Sequence, residues 1–314
     1  MADTDGLIRT YNAETAPRGT LRHILPVFRY PSVIWENRNL VANFARREFL
    51  ARFRGSALGS SWVVLQPLLM FVIYYLVFGM LFGNHRAGQP PDPNFAFYLF
   101  SGVLSFSTLN EATSAHCGTV VANGNLVKKV AFPSEVLPIP TTLVAIATYL
   151  VGAAVLMVAW LVCVLCGVEV VSMKPGWLLL MLPVTLVIQF AMILGIGLFL
   201  ANLYVFVRDI RQIWGIVTMV WMFLSPVFWV PEMVVQKLGQ QTADMLFACN
   251  PAFSLIQAQR MVLGATDAMV EGAQHLQFGD FWTHIAVSST WAAVFMVVGF
   301  SSFVSRKHKY ADLV

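Results

Sequence analysis

Charge is what this 314-residue chain has least of: 11% of its residues are Asp, Glu, Lys or Arg, against 58% hydrophobic ones. A soluble domain carries about 25% charged residues. This composition, with a mean hydropathy of +0.69, therefore excludes a water-soluble globular fold and points to a bilayer. The signatures of common enzymes are missing too. No Gly-Lys pair occurs, so there is no phosphate-cradling GxxxxGK[ST] loop. Neither HExxH nor GxSxG is present, and the histidines are scattered without metal-ligand spacing. Cys117, Cys163, Cys166 and Cys249 make no disulfide framework, and the Cys163/Cys166 pair inside an apolar stretch reads as two small hydrophobic side chains. The first sixty residues hold no cleavable signal peptide. No internal repeat is evident, against a secondary transporter of duplicated halves.

What the chain does have is long apolar runs. Six of them, at 61–83, 95–114, 139–166, 177–207, 213–230 and 282–304, approach or exceed the roughly 20 residues a helix needs to cross. The expected fold is all-α integral membrane: six transmembrane helices, an N-terminal amphipathic interface helix, and re-entrant outer helices after span five. Its parts are a cytoplasmic extension at 1–36, the interface helix at 37–59, a six-span domain at 60–305 and a cytoplasmic tail at 306–314. Lys and Arg set the orientation. Nine precede span one, and Lys128, Lys129, Arg208, Arg211, Arg306, Lys307 and Lys309 fall on the same side, against Arg86, Lys174, Lys237 and Arg260 on the other. Both termini are thus predicted to be cytoplasmic.

Within the 37–59 helix, Leu40, Val41, Phe44, Phe49 and Phe53 are set among Arg46, Arg47, Arg52 and Arg54, a pattern suited to the headgroup interface. Glu48 falls among the apolar positions and Leu50 among the basic ones. Simple attraction to anionic lipid and a specific phosphate site fit equally. Span one carries Pro67 and an aromatic ridge of Phe71, Tyr75, Phe78 and Phe82, with Tyr74 beside it. The second half of span two is polar, so it should face other helices or a water-accessible passage, with Glu111 paired to a nearby Lys or Arg as the plainer alternative. Span four, at 31 residues, must tilt, kink near Pro183 or protrude. Arg208, Asp209 and Arg211 in the turn after it are expected to pair with one another or with a loop that moves. In span five Trp214 and Trp221 share a face. Asn250-Pro251 and Gly264 read as a helix start and stop.

The loop between spans two and three, about 123–138, is the odd one. It carries Lys128, Lys129 and Glu135, and Pro133, Pro138 and Pro140 follow closely. Its amphipathic run, 126–132, suits docking on a partner, and the residues before Pro138 and Pro140 are predicted to be extended, giving a stiff joint. A basic turn that only sets orientation is the plain alternative.

Four motifs in sequence order, ARFRGSALGSSWVVLQPLL with YYLVFG, NLVKKVAFPSEVLPIP, VFVRDIRQI with SPVFW, and NPAFSLIQAQRMVLG, resemble one family over residues 51–264. It is the membrane subunits of ATP-binding-cassette exporters of lipid-linked polysaccharides, of the O-antigen, capsule and teichoic-acid type. The resemblance implies a non-catalytic homodimeric permease in the bacterial inner membrane, served by two cytoplasmic ATPase subunits. ATP and magnesium would sit on those partners; no cofactor or metal is expected on this chain, and no nucleic acid. ATPase coupling falls, by resemblance, on Asn125, Leu126, Lys128, Lys129, Phe132, Pro133 and Glu135. The cargo is expected to be a polyprenyl-diphosphate-linked polysaccharide, most simply O-antigen, its phosphates attracted by Arg46, Arg47, Arg52 and Arg54. Its sugars would slide over Tyr74, Tyr75, Trp221 and Trp229. A capsule, teichoic-acid or small-molecule exporter of the same class is the nearest alternative; a membrane enzyme or scaffold without an ATPase is the alternative of another kind.

Overall fold

Proline and glycine placement explains most of the element boundaries. The computed structural model describes residues 27, 29–81, 94–128, 133–167, 173, 175–265 and 280–314. Helix α1 (Tyr30–Glu36) opens with Pro31 in its first turn, and α2 (Arg38–Ala51) follows after a single residue. Helix α3 (Trp62–Tyr74) contains Pro67, which removes a backbone donor, and the chain loosens into a π-helical stretch at Tyr75–Leu81. Then come α4 (Asn94–His116), the short α5 (Thr119–Ala122) and α6 (Gly124–Val127), and the long α7 (Pro138–Leu165). A 3-10 turn, Trp177–Met181, leads into α8 (Leu182–Phe206), with Pro183 in the first helical turn. The expected irregularity near Pro183 is therefore a change of helix type before a straight start. After α9 (Ile210–Leu224) come α10 (Glu232–Leu238), α11 (Gln240–Cys249) and α12 (Pro251–Leu263), then α13 (Phe281–Arg306) and the terminal α14 (Tyr310–Leu313). Among the described residues there is no strand, only an isolated antiparallel bridge between Met173 and Ala265.

Four stretches are long and apolar enough to cross a membrane: Gly59–Phe78, Ser134–Leu165, Trp177–Phe206 and Phe281–Lys309. The other two expected spans differ for physical reasons. Helix α4 has the length, 23 residues, but its polar face lowers its hydropathy, and that face is turned inward: Ser101, Ser105, Thr108 and Thr113 are buried. Their hydroxyls donate to carbonyls three or four residues back, so the helix carries its own hydrogen-bond partners. Helix α9 has 15 residues because Ser225, forced extended ahead of Pro226, ends it.

Two expected boundaries move. The interface helix stops at Ala51, and 52–58 continue as turns. Before Pro138 and Pro140 the chain is helical, not extended: Leu137 has φ −57° and ψ −38°, and Ile139 lies inside α7. Both prolines occupy the first turn, where an N–H has no helical acceptor to lose.

Helix α8 is the structural centre, 67% buried across its apolar window against 11% for the first span. Its most extensive contact is with α13. The two backbones touch: a Cβ on Gly299 would collide with the Gly195 carbonyl, and one on Gly195 with the peptide joining Phe295 and Met296. With lipid outside as apolar as the protein inside, such close approach is what holds two spans together. Replacing Gly299 by Ala forces them apart and is expected to destabilise by roughly 1–3 kcal/mol, read as a lowered melting temperature of the purified chain by intrinsic fluorescence.

Candidate functional site

The residues singled out in the sequence fall at two ends of the molecule. At the end where the first and last described helices lie, α1, α5, the start of α7, α8, α13 and α14 share one hydrophobic cluster around Tyr30, Val120, Val136, Phe300, Phe303 and Tyr310. Glu135 lies in its wall, buried rather than presented outward. Its carboxylate accepts from Lys307 Nζ at 3.3 Å, and its backbone carbonyl accepts from the Tyr30 hydroxyl at 2.7 Å. Tyr310 donates to Asn202 Oδ1 at 3.0 Å, and Val314 packs so closely on α6 that a side chain at Gly124 would strike it. The described parts of the segment between α4 and α7 are thus clamped by the chain's first and last described helices.

Of the expected coupling residues, Asn125 and Lys128 are exposed on α6, Leu126 and Pro133 are half-buried, and Glu135 is an internal brace. Lys129 and Phe132 lie outside the described residues. On the neighbouring surface Arg46, Arg47, Arg52 and Arg54 are all exposed. Arg47 stacks on Phe44, and Arg52 is ion-paired with Glu111, the partner type anticipated for that carboxylate. Glu48, out of place in the apolar pattern, accepts from Thr141 of α7 at 3.0 Å, so the face it shares is a helix–helix contact. Leu50 is correspondingly exposed. Arg208, Asp209 and Arg211 do not pair with one another: both guanidiniums lie 5.2 Å from the Tyr204 ring, and Arg211 also reaches Gly118 at the end of α4.

The four expected passage aromatics are half-buried but do not form one row. Tyr74 and Trp221 border the same cluster, around Leu99, Phe106 and Ile256. Tyr75 packs with Phe71 instead, and Trp229 stacks on Phe247. Trp214 and Trp221 do share a face, rings 6.3 Å apart, and both line an apolar crevice of about 440 Å³ between α8, α9 and α13.

At the opposite end the chain leaves α9 at Ser225, whose amide makes the last helical bond, to the Trp221 carbonyl at 2.9 Å, and runs on non-helically to Trp229. Its carbonyls are answered one by one. Trp229 Nε1 donates to Phe223 at 2.9 Å, Asn250 Nδ2 to Leu224 at 3.2 Å, and the Val227 amide to Ser225 at 2.7 Å. Arg260 donates to Pro226 at 2.6 Å and Val227 at 3.3 Å, and the Tyr98 hydroxyl to Trp229 at 3.2 Å. Asn250 is also the expected cap of α12, accepting from the Ala252 amide, and Gly264, at φ 74°, is the expected stop.

Sequence reasoning missed Tyr30, Tyr310 and Arg260. Counted as a loop cation, Arg260 is in fact 1% exposed. The available signal was spacing: it sits seven residues after Phe253 and four after Ile256, on the buried face of α12.

Among the described residues, an all-helical architecture with four stretches long and apolar enough to cross a membrane defines the class as a polytopic membrane protein. Residues 40–263 match the family model for the ABC-2 type transporter, and the chain belongs to that family. It is 25% identical over 281 residues to the O-antigen export system permease protein RfbA of Myxococcus xanthus, covering 90% of this chain and 97% of that one. A protein of the same name from Klebsiella pneumoniae is 21% identical, with 88% and 95% covered. The capsule polysaccharide export inner-membrane protein CtrC of Neisseria meningitidis serogroup B is 24% identical, with 62% and 71% covered.

Burial raises the pKa of both tyrosines at the α1 and α14 end well above 10.0, Glu135 adding to the rise in each while Arg306 opposes it at Tyr310. Folding therefore favours their protonated form: their contribution is complete below pH 10 and is lost at higher pH. Tyr310→Phe, which strips the donor from Asn202, is expected to cost roughly 1–3 kcal/mol at neutral pH. Combined with Tyr30→Phe, it should flatten the fall in melting temperature above pH 10.

Proposed function

We propose that this chain is the membrane subunit of an ATP-driven exporter that moves a lipid-linked polysaccharide, O-antigen in the first instance, across the inner membrane. The single observation that carries the reading is near full-length similarity to permeases named for O-antigen export, 97% of the Myxococcus protein being covered. The working unit is a homodimer of six-span subunits, with both termini cytoplasmic and 231–264 re-entrant at the outer face. The shared cluster of α1 and α14 supports placing both termini on one side. The inward polar face of α4 supports counting it as a span despite its modest hydropathy. ATP hydrolysis belongs to two separate cytoplasmic ATPase subunits, which carry ATP and magnesium.

In this reading the ATPase docks on α6 and the residues after it, with Asn125 and Lys128 as exposed contacts, joined by Leu126, Lys129, Phe132 and Pro133. Glu135 holds that segment to Lys307 and Tyr30, so a push on α6 is delivered to the body of the protein. Arg46, Arg47 and Arg54 attract the lipid diphosphate by charge-assisted hydrogen bonds. Arg52 joins them only by exchanging Glu111 for phosphate, a small cost for an exposed pair. The polyprenyl carrier and glycan then pass aromatic faces at Tyr74, Tyr75, Trp221 and Trp229, where stacking tolerates many sugars. The Arg208, Asp209 and Arg211 turn lies beside the end of α4 and moves with it.

Capsule export is the second reading, supported by the similarity to the Neisseria protein. Complementation separates the two: this chain with its ATPase, expressed in strains lacking either exporter, should restore surface O-antigen and not capsule. Neither glycan restored would remove the polysaccharide assignment. Arg46→Ala with Arg54→Ala should lower surface glycan by about tenfold while insertion is unchanged. Asn125→Ala with Lys128→Ala should cut ATPase recovered on affinity purification by roughly fivefold. Full recovery would move the docking site off α6.

A further inference from the structure

Arg260 is a cation buried where a cation is costly, and its surroundings are built for it. Its guanidinium carbon lies 3.6 Å from the centre of the Tyr98 ring. One nitrogen donates to Pro226 and to Gln257 Oε1 at 3.2 Å, the other to Val227. Gly102, one helical turn beyond Tyr98, leaves the slot: a Cβ there would overlap the guanidinium. A planar group that stacks on a ring and answers two carbonyls at once is a task for Arg that Lys cannot fully perform. Helix α4 itself joins Tyr98 to His116, about 27 Å away at 1.5 Å per residue. His116 is bonded to the Pro138 carbonyl at 2.9 Å, and α5 and α6 follow directly. Between α9 and the clasped turn, by contrast, stands the non-helical Ser225, at φ −96° and ψ 149°.

We propose that Arg260 is a positioning residue of the transport cycle: it clasps the Pro226–Trp229 turn to the far end of α4, so that displacement of α4 by the coupling segment carries the turn and its aromatics along. Without the clasp the turn is left on the Ser225 hinge, with the Tyr98 hydroxyl on the Trp229 carbonyl as its remaining bond to α4, too little to carry it along. The proposal rests on the export reading above for its cargo, its ATPase partner and the coupling segment.

The test uses the assembled complex of this chain with its ATPase, measuring surface glycan in cells and ATP turnover after purification. Arg260→Met removes the hydrogen bonds and the charge while keeping bulk. It should lower export by about tenfold with ATP turnover within roughly twofold of wild type, a motor running unloaded. Arg260→Lys should recover part of the loss, and Tyr98→Phe should lose less than Tyr98→Leu. Gly102→Ala, which keeps Arg260 but fills its slot, should reproduce the uncoupling. Export unchanged in Arg260→Met overturns the proposal. So does a proportional fall of export and ATP turnover in every variant, which marks a structural role alone. Should Arg260→Met fail to assemble, Gly102→Ala and Tyr98→Leu decide by the same criteria. Should wild type hydrolyse ATP yet deliver no glycan, the cargo reading fails and the clasp is judged separately. For that, Phe228→Cys is placed in a chain whose native cysteines are replaced and labelled with maleimide. An ATP-dependent change in labelling that Arg260→Met abolishes supports the clasp; a change that persists overturns it.

Discussion

A backbone that leaves its helix inside an apolar layer must have its polar groups answered by the protein, because lipid offers no partner. That constraint shapes both ends of this molecule. Between Phe223 and Trp229 the carbonyls are met by Trp229, Asn250, Arg260 and Tyr98. Around Ser134–Pro138 they are met by Tyr30, His116 and Thr142. Beside local donors such as Thr142 and Trp229, each break draws donors from elements distant in sequence, Tyr30 and His116 at one, Tyr98 and Arg260 at the other, so satisfying it ties several helices together. Breaks that a soluble protein would leave to water become the joints of the fold.

The same solvent explains the packing between the ends. Burying leucine gains little when the surroundings are hydrocarbon, so association depends on close backbone approach and internal hydrogen bonds. Helices α8 and α13 meet through Gly195 and Gly299, and α8 meets α4 and α12 through polar groups: Gln189 donates to the Ser105 carbonyl at 3.2 Å, and Gln259 to Gln189 at 2.8 Å. Large apolar side chains such as Leu68, Leu69, Ile216 and Phe223 are left on the outside. Hydrophobicity marks the spans but does not say which faces meet.

That division governs what was legible in the sequence. Helix existence, the caps at Asn250 and Gly264 and the turn at Ser225-Pro226 follow from local chemistry, and the structure has them; of the polar half of α4, Ser105, Thr108 and Thr113 are turned inward while Ser107 and Glu111 are exposed. Glu48, Glu135, Tyr30 and Arg260 were opaque, because each is explained by a partner 33 to 105 residues away. Charge alone was misleading in opposite directions: Arg260 counted as a loop residue is buried, and Glu135 counted as a contact is a brace. The prolines before α7 misled for a simpler reason. Their effect on the preceding residue was weighed without the first-turn positions that make them harmless.

The two ends also differ in how easily they rearrange. At the α1 and α14 end Arg52 and Glu111 form a pair whose side chains remain partly exposed, whereas Lys307 pairs with the buried Glu135. Exposed pairs contribute roughly 0–1 kcal/mol, so exchanging one partner for another, or for a phosphate, is a small perturbation. Arg260 is different: breaking a buried, fully engaged cation away from its partners costs several kcal/mol. A force applied at the α1 and α14 end therefore meets contacts that can re-form and, further along α4, contacts that cannot. Under the proposed export reading, such contacts would admit motion at the segment between α4 and α7 and carry it as rigid displacement to the Arg260 end. That is the mechanical arrangement a permease needs if its work is supplied from outside the chain.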